Sequence, residues 1–367
     1  MSDVLVVGGG IVGLLSALEL TQRQKSVTLI DAPSLFPPAS WAGGGILTPL
    51  FAWRYSDAMT RLSVDAVPRF ERLLDALDPG GAVAAELLHR GGVWVSVQGQ
   101  ECDKAQAWAE RWHIPVEPRS ARGLMENFRP DTGLLFPEQG NIRNPGLLKR
   151  LRQTLLRKGV RFENAQVERL CQRHGGLQLT ASDGRCWQSE QVLLSAGASM
   201  RVLLDGLGIR LPVFPAKGEM LLYQMAPGQV PAVMLTDEGY LIPRNDGAVL
   251  VGSTLRKGDA SCYPTVQGRY QLEAVAARLW PQLAEHKPRF HWAGVRPGCE
   301  RDVPFLGAVP GMPGMYAAAG HFRNGLVSAP ASAELLAQIM CGQPTFTDPT
   351  PYSLPSSSLS SSSFLRR

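Results

Sequence analysis

Residues 4–31 read VLVVGGGIVGLLSALELTQRQKSVTLID, and the order of the parts within them decides the fold. Val4 to Val7 is a short apolar run, the pattern of a strand buried on both faces. It leads straight into Gly8-Gly9-Gly10-Ile11-Val12-Gly13, a G-x-G-x-x-G stretch. An amphipathic helix follows, then a second apolar strand, Ser26 to Ile30, that ends on Asp31. Each part has a task in holding a dinucleotide. Gly8 permits the tight turn, Gly10 lets backbone approach a pyrophosphate, and Gly13 lets the helix lie close on the sheet. The helix start offers unpaired N–H groups and the positive end of a dipole to phosphate. Asp31 stands where a carboxylate accepts hydrogen bonds from ribose hydroxyls. A glycine-rich turn in an unrelated α/β protein explains the glycines but not the acid closing the second strand. The stretch leaves open whether the dinucleotide is FAD or NAD.

The rest of the chain bounds what surrounds this unit. With 367 residues, 44% hydrophobic and 19% charged, it is long enough for two ordinary globular domains. The net charge is +5 and the isoelectric point about 9.0, but Lys and Arg are scattered. That favours a basic enzyme attracting small anions over a nucleic-acid surface. The six cysteines are widely spaced with no C-x-x-C, which argues against a disulfide framework and fits a reducing compartment. The six histidines show no metal-ligand spacing, so no metal is expected. No apolar segment reaches membrane-spanning length, and the first residues run almost directly into a core strand. The expectation is a cytoplasmic protein without stable membrane insertion. Pro351 to Arg367, rich in Ser and Pro, reads as a disordered tail.

Along the chain, small residues from Ala39 to Gly45 leave the backbone bare, as the close approach of a flat ligand requires. A flexible loop is the alternative, against which Trp41, Ile46 and Leu47 argue for packing. Residues 57–78 read as one helix and 103–112 as another, with a strand at Val93 to Val97 between them. Asn144-Pro145 opens a helix over 146–158, and Gln191 to Leu194 is a strand running into a small turn at Ala196-Gly197-Ala198. Residues 212–255 are rich in strands, a helix spans 268–279, Phe290 to Val295 is a strand, and Leu326 to Met340 is a closing helix. Nucleotide-domain elements thus occur at the start, middle and end. The fold class is α/β with an α+β second domain: a discontinuous Rossmann-like domain at 1–80, 141–210 and 296–345, an antiparallel β-sheet substrate domain at 81–140 and 211–295, and a tail at 346–367.

Three places outside the glycine stretch carry candidate chemistry. Arg296, in Trp292-Ala-Gly-Val-Arg-Pro-Gly, ends an apolar strand, where a guanidinium either grips a carboxylate in bidentate fashion or bonds loop carbonyls. Tyr240 begins a strand, its hydroxyl closing over a small polar substrate or serving only as a wet tip on a packed ring. Gly320-His-Phe-Arg-Asn-Gly325 lies before the last helix, its N–H groups free to face negative charge, or Asn324 caps that helix. Cys299 reads as a small buried hydrophobe rather than a flavin tether.

GGGIVG with Asp31, ASWAGGGIL, AGA at 196–198, PAKGE at 215–219, GYLIPR, WAGVRPG and GHFRNG together resemble the D-amino acid oxidase superfamily of FAD-dependent amine oxidases, and within it the bacterial glycine oxidases of the thiamine pathway. The resemblance runs from about Val4 to Met340. It implies tightly, non-covalently bound FAD and a substrate domain beside it. Matching motifs place Gly8, Gly10, Ile11, Val12, Gly13 and Asp31 at the FAD fingerprint and adenosine ribose. Ala39, Ser40, Gly44, Gly45 and Ile46 fall on the loop around pyrophosphate and flavin, Val167 on a backbone contact to adenine, and Gly197 on the small turn. His321, Phe322, Arg323, Asn324, Gly325, Leu326 and Val327 match the loop at the flavin ring. Arg296 takes the place of the carboxylate-binding arginine, Tyr240 that of the substrate-site tyrosine, and Arg323 that of a further pocket arginine.

What the resemblance implies for chemistry is oxidation of glycine or another small amine, such as sarcosine or a small D-amino acid, by hydride transfer to flavin N5. Oxygen is then reduced to hydrogen peroxide, and the imine gives glyoxylate and ammonia. No acid–base residue is required. Glu238, Ile46 and Thr48 depart from the glycine-oxidase pattern near the pocket mouth and leave substrate breadth open. Three alternatives stand beside this: a D-amino acid dehydrogenase passing electrons to a quinone, an oxidase-like domain acting on modified tRNA, and a flavin-binding protein without turnover. A homo-oligomer also stays open.

Overall fold

Val4–Val7 is central because both its faces are covered. In the computed structural model, which describes residues 2–33, 38–174 and 176–355, it lies between Val27–Asp31 and Gln191–Leu194, parallel to both. The sheet continues with Arg161–Asn164 beyond Asp31 and with Met315–Ala319 and Phe305–Ala308 on the other side. Only the last of these six strands runs antiparallel. The alternation of a strand sends Val4 and Val6 to one side and Leu5 and Val7 to the other. On the first side the helices Ile11–Gln22, Asn144–Arg157 and Ala329–Met340 pack. On the second a three-stranded antiparallel sheet, Val167–Arg173, Gly176–Ala181 and Cys186–Ser189, closes the core. An apolar run without alternation is what a strand sandwiched between two layers requires.

A second sheet of nine strands is assembled from two separate stretches of chain. Val93–Ser96, Glu117–Pro118 and Gly133–Phe136 come from the first. Val213–Gln224, Val233–Leu235, Tyr240–Pro243, Ala248–Gly252, Arg256–Lys257 and Phe290–Cys299 come from the second. The helix Val266–Leu279 covers one face with Leu221, Tyr223, Val249 and Val251, while Met220, Leu235, Ile242 and Leu250 fill the other. The long pair Val213–Gln224 and Phe290–Cys299 is antiparallel through ten registered positions, from Val213↔Cys299 to Leu222↔Phe290. Its Val213–Cys299 end belongs to the core of the first sheet and its Leu221 end to that of the second. The pair therefore ties the two sheets together.

Several local expectations are corrected. Residues 57–78 form two helices, Asp57–Arg61 and Ala66–Leu77, with a turn between. The closing helix starts at Ala329 rather than Leu326, with Pro330 in its first turn, where a missing N–H does no harm. The strand expected at Phe290 to Val295 runs on to Cys299. Val83, Ala84 and Leu87, numbered above with the substrate domain, pack into the core beneath the parallel sheet. The tail reading fails over its first part. Tyr352 and Leu354 are buried, and the Tyr352 hydroxyl donates to the Ala58 carbonyl at 2.7 Å. Residues 356–367, where the rest of the expected disorder falls, lie outside the described residues. No helix among the described residues is long and apolar enough to cross a membrane.

Candidate active site

One continuous cleft of about 550 Å³ runs from the glycine turn to Arg296. That falls inside the range of about 300–1,000 Å³ typical of small-molecule and cofactor sites. Gly8, Gly9, Gly10, Ile11, Val12, Asp31 and Val167 line one end, and Tyr240, Ser253, Arg296, His321 and Arg323 the other. Ala39, Ser40, Gly44, Gly45, Ile46 and Gly197 line the stretch between or beside them, as do Phe322, Gly325 and Leu326. Three residues assigned to the cofactor from sequence do not line it. Gly13 lies under the turn, where an added Cβ would overlap the Gly8 carbonyl and crowd Ser195 Oγ, so its bareness serves packing. Val327 is buried in the core on the helix side. Asn324 is buried too, its carbonyl accepting from Ser328 N at 3.0 Å and Ser328 Oγ at 2.7 Å, and it caps no helix.

The glycine end has the form a pyrophosphate needs. Gly8 has φ +110, and a side chain there would collide with Ser195 backbone. Gly10 caps the helix without a side chain, and no acid occupies the first turn, so the positive helix end is left for an anion. Ser40 Oγ accepts from Ile11 N at 2.9 Å, tying the small-residue loop to the glycine turn. That loop is not flexible. Ala39–Ala42 is a short helix, and Asn144 Nδ2 donates to the Ser40 and Gly43 carbonyls at 3.0 and 2.9 Å. Asp31 accepts from Gly9 N at 2.9 Å through Oδ1 and from Arg152 Nη2 at 2.6 Å through Oδ2. The Asp31 carboxylate is thus held by its own loop and by an arginine from the helix Asn144–Arg157.

The other end gathers cations and small backbone. Arg296 lies on Phe290–Cys299 opposite Ala216, with the next pair on the same face Gly218↔Gly294. A Cβ at Gly218 would overlap the Arg296 guanidinium, so the glycine is the floor on which that group rests. Arg296 Nη2 donates to Ser253 Oγ at 2.9 Å and Nη1 to the Thr254 carbonyl at 3.4 Å. Burial pulls its pKa below the ordinary guanidinium value; Tyr240 opposes this and the nearby Arg323 charge adds to it. The Tyr240 ring lies over Gly252, where any side chain would meet the ring carbons. Arg323 is exposed at the mouth, over the Phe322 ring. Phe322 itself sits at φ +46, a left-handed conformation unusual for a bulky residue and found where a site dictates backbone shape. Among the described residues lining the cleft, Asp31 is the only acid.

His321 is fully buried with Nε2 unpartnered, and burial pushes its pKa down to about 4, so the imidazole is neutral at pH 7. An unpartnered buried ring nitrogen on a residue that lines the cleft, a bare glycine cradle and an open helix start together fit a large polar cofactor such as FAD. Cys299 is buried against Gly320 and Val213, its thiol pushed up by burial, and is a packing residue. Sequence reasoning missed Arg152, Asn144, Arg244, Ser253 and Gly218. Arg244, buried and with its pKa pushed by burial to about 9, donates to the Gly44 carbonyl at 3.0 Å and to Asn141. It stands in the quoted GYLIPR stretch, and Asn144 in the quoted helix start, but neither spacing nor composition signals these contacts.

Residues 3–339 match the family model described as FAD dependent oxidoreductase. The glycine oxidase of Pseudomonas aeruginosa is 39% identical over 95% of this chain and 97% of its own. That of Pseudomonas putida is 36% identical over 95% of this chain and 97% of its own. The crystal structure of glycine oxidase from Geobacillus kaustophilus superposes with a TM-score of 0.89 at 24% identity, covering 96% of this chain and 98% of that one, a likeness of fold.

Proposed function

The chain belongs to the FAD dependent oxidoreductase family, and from that premise we propose that it oxidises glycine and other small amines or D-amino acids, sarcosine and D-alanine among them, with oxygen as the electron acceptor. For glycine the balance is glycine, oxygen and water giving glyoxylate, ammonia and hydrogen peroxide. Bound FAD supplies the redox chemistry, accepting two electrons from the carbon that carries nitrogen and returning them to oxygen.

The observation that carries this reading is the meeting of Arg296 and Tyr240 at the end of a cleft that begins at the glycine fingerprint. A guanidinium matches a carboxylate in bidentate fashion, and a phenol hydroxyl adds a third donor. Holding the carboxylate there fixes the direction of the amine-bearing carbon, and such orientation lowers a barrier without any proton-transfer residue. The positive charges of Arg296 and Arg323 also disfavour the ammonium form of the substrate, so the amine is poised to lose its proton. His321, neutral, adds no charge beside the cofactor. Small residues at Gly44, Gly218 and Gly252 are already filled by neighbouring side chains, so substrate space is bounded by Ile46, Thr48 and Tyr240. A small amine suits that space.

The test is oxygen uptake and peroxide release by purified holoenzyme given glycine, sarcosine or D-alanine in turn. Stoichiometric peroxide is expected. Flavin that stays reduced in air but is reoxidised, with its colour restored, by a quinone would sink the oxidase reading.

A further inference from the structure

PAKGE at 215–219 and the segment 253–265, which follows the strand Ala248–Gly252, supply the groups that surround the Arg296 guanidinium. They meet behind Arg296. Ser253 Oγ and the Thr254 carbonyl accept from the two terminal nitrogens of the guanidinium, and Gly218 lies beneath it. Thr254 is itself fixed to the long strand. Its Oγ1 accepts from Glu219 N at 2.9 Å and its N–H donates to the Glu219 carbonyl at 3.3 Å.

The far end of the segment is pinned from the opposite face of that strand. Alternation places Lys217 and Glu219 away from Gly218, and both are almost completely buried. Glu219 accepts from Thr265 N at 2.8 Å and from Thr265 Oγ1 at 2.9 Å, and pairs with His291 Nε2 at 2.9 Å. Lys217 Nζ lies 3.5 Å from Glu219 and donates to Ser261 Oγ at 3.0 Å. A buried ion pair with every partner in place defines one arrangement, because any loosened member is left unpaired. Residues 253–265 therefore form a strap fastened at Thr254, Ser261 and Thr265.

We propose that Ser253 and Thr254 are positioning residues for Arg296, the strap presetting the plane of its guanidinium for the substrate carboxylate. An arginine side chain has many rotamers, and freezing it before substrate arrives removes that entropy from the binding step. The proposal rests on the reading of Arg296 as the carboxylate anchor.

Glycolate, in which a hydroxyl replaces the amine of glycine, serves as an unreactive probe. Its binding to FAD-loaded protein is followed by the change in flavin absorbance. Ser253→Ala is expected to weaken glycolate about tenfold, the effect of one hydrogen bond to a charged group, and to raise KM for glycine with kcat little changed. Ser253→Thr, which keeps the hydroxyl, restores most of the affinity. Unchanged flavin content in both variants confirms that the cofactor site is intact. If Arg296→Met abolishes glycolate binding while Ser253→Ala binds as tightly as the parent, the strap proposal is overturned and the anchor reading stands. If the parent shows no glycolate response, or Arg296→Met binds as the parent does, the anchor reading falls and the strap proposal with it.

Discussion

Arg296 and His321 face the same cleft with opposite electrostatic tasks. Burial lowers the pKa of Arg296, and among the described residues lining its end of the cleft there is no acid to pair with it. Replacing it with lysine keeps a charge but loses the fork that meets a carboxylate. Arg296→Lys is expected to lose about 1.5–3 kcal/mol of transition-state binding, roughly 10- to 150-fold in kcat/KM, while retaining FAD. Steady-state kinetics with flavin absorbance in the same sample checks both parts. His321 behaves in the reverse way. Burial holds it neutral down to about pH 4 in the folded protein, against 6.5 for an ordinary histidine. The unfolded chain takes up this proton first as pH falls. Stability from this group is therefore fully present above about pH 6.5 and lost progressively towards pH 4, by at most about 3 kcal/mol. Denaturant unfolding of FAD-free protein at about pH 7.5 and about pH 4.5 should show a smaller loss in His321→Gln than in the parent.

At the level of elements, neighbouring glycines in one turn have different duties. At Gly9 a methyl group would strike Asp31 and Arg152, side chains at the glycine end of the cleft. At Gly13 it would strike the Gly8 carbonyl, which is backbone and cannot swing aside. Gly13→Ala is therefore expected to cost stability, about 1–3 kcal/mol as for other overpacked positions, by lifting the helix Ile11–Gln22 off the sheet. Gly9→Ala should leave the melting temperature of FAD-free protein near the parent value and instead weaken FAD. Thermal melts and FAD titrations of both variants separate the two, and equal effects on both readouts would refute the division. The strand–turn–helix unit was legible because each part has a local signature. The break at Leu62–Asp65 was not, because Met59, Leu62, Val67 and Phe70 all reach one core across it. Apolar spacing reports burial, and burial continued where the helix stopped. The assignment of Asn324 as a cap failed for a related reason: residue type suggested a cap, but a short 3₁₀ turn, Phe322–Asn324, intervenes.

The whole molecule joins segments that lie far apart in sequence, and here local pattern carries least. Nothing near Arg296 in the chain announces Ser253 or Gly218, and nothing near Asp31 announces Arg152, since each contact is made by tertiary packing. Residues 351–355 were misread because composition averages over a serine tract, whereas Tyr352 and Leu354 act singly by filling holes in two different cores. The cleft is the feature that spans the assembly. Its walls come from the turn and helix start that follow the first strand of the parallel sheet, Gly8–Val12, and from the nine-stranded sheet at Tyr240 and Arg296. A ligand filling its length contacts both, so FAD should stabilise the two parts together. A ligand bound only by the folded state adds about 2.7 kcal/mol at a hundredfold excess over its Kd, and more FAD adds more. FAD-free protein is expected to melt several degrees lower than holoenzyme, with the melting temperature rising steadily on adding FAD. ADP, which has the adenosine and pyrophosphate parts but no flavin, should reach only the glycine end, bind more weakly and stabilise less at equal concentration. If ADP and FAD protect equally, the Arg296 end of the cleft makes no contribution to holding the flavin ring, and the two sheets are coupled by the strands Val213–Gln224 and Phe290–Cys299 alone.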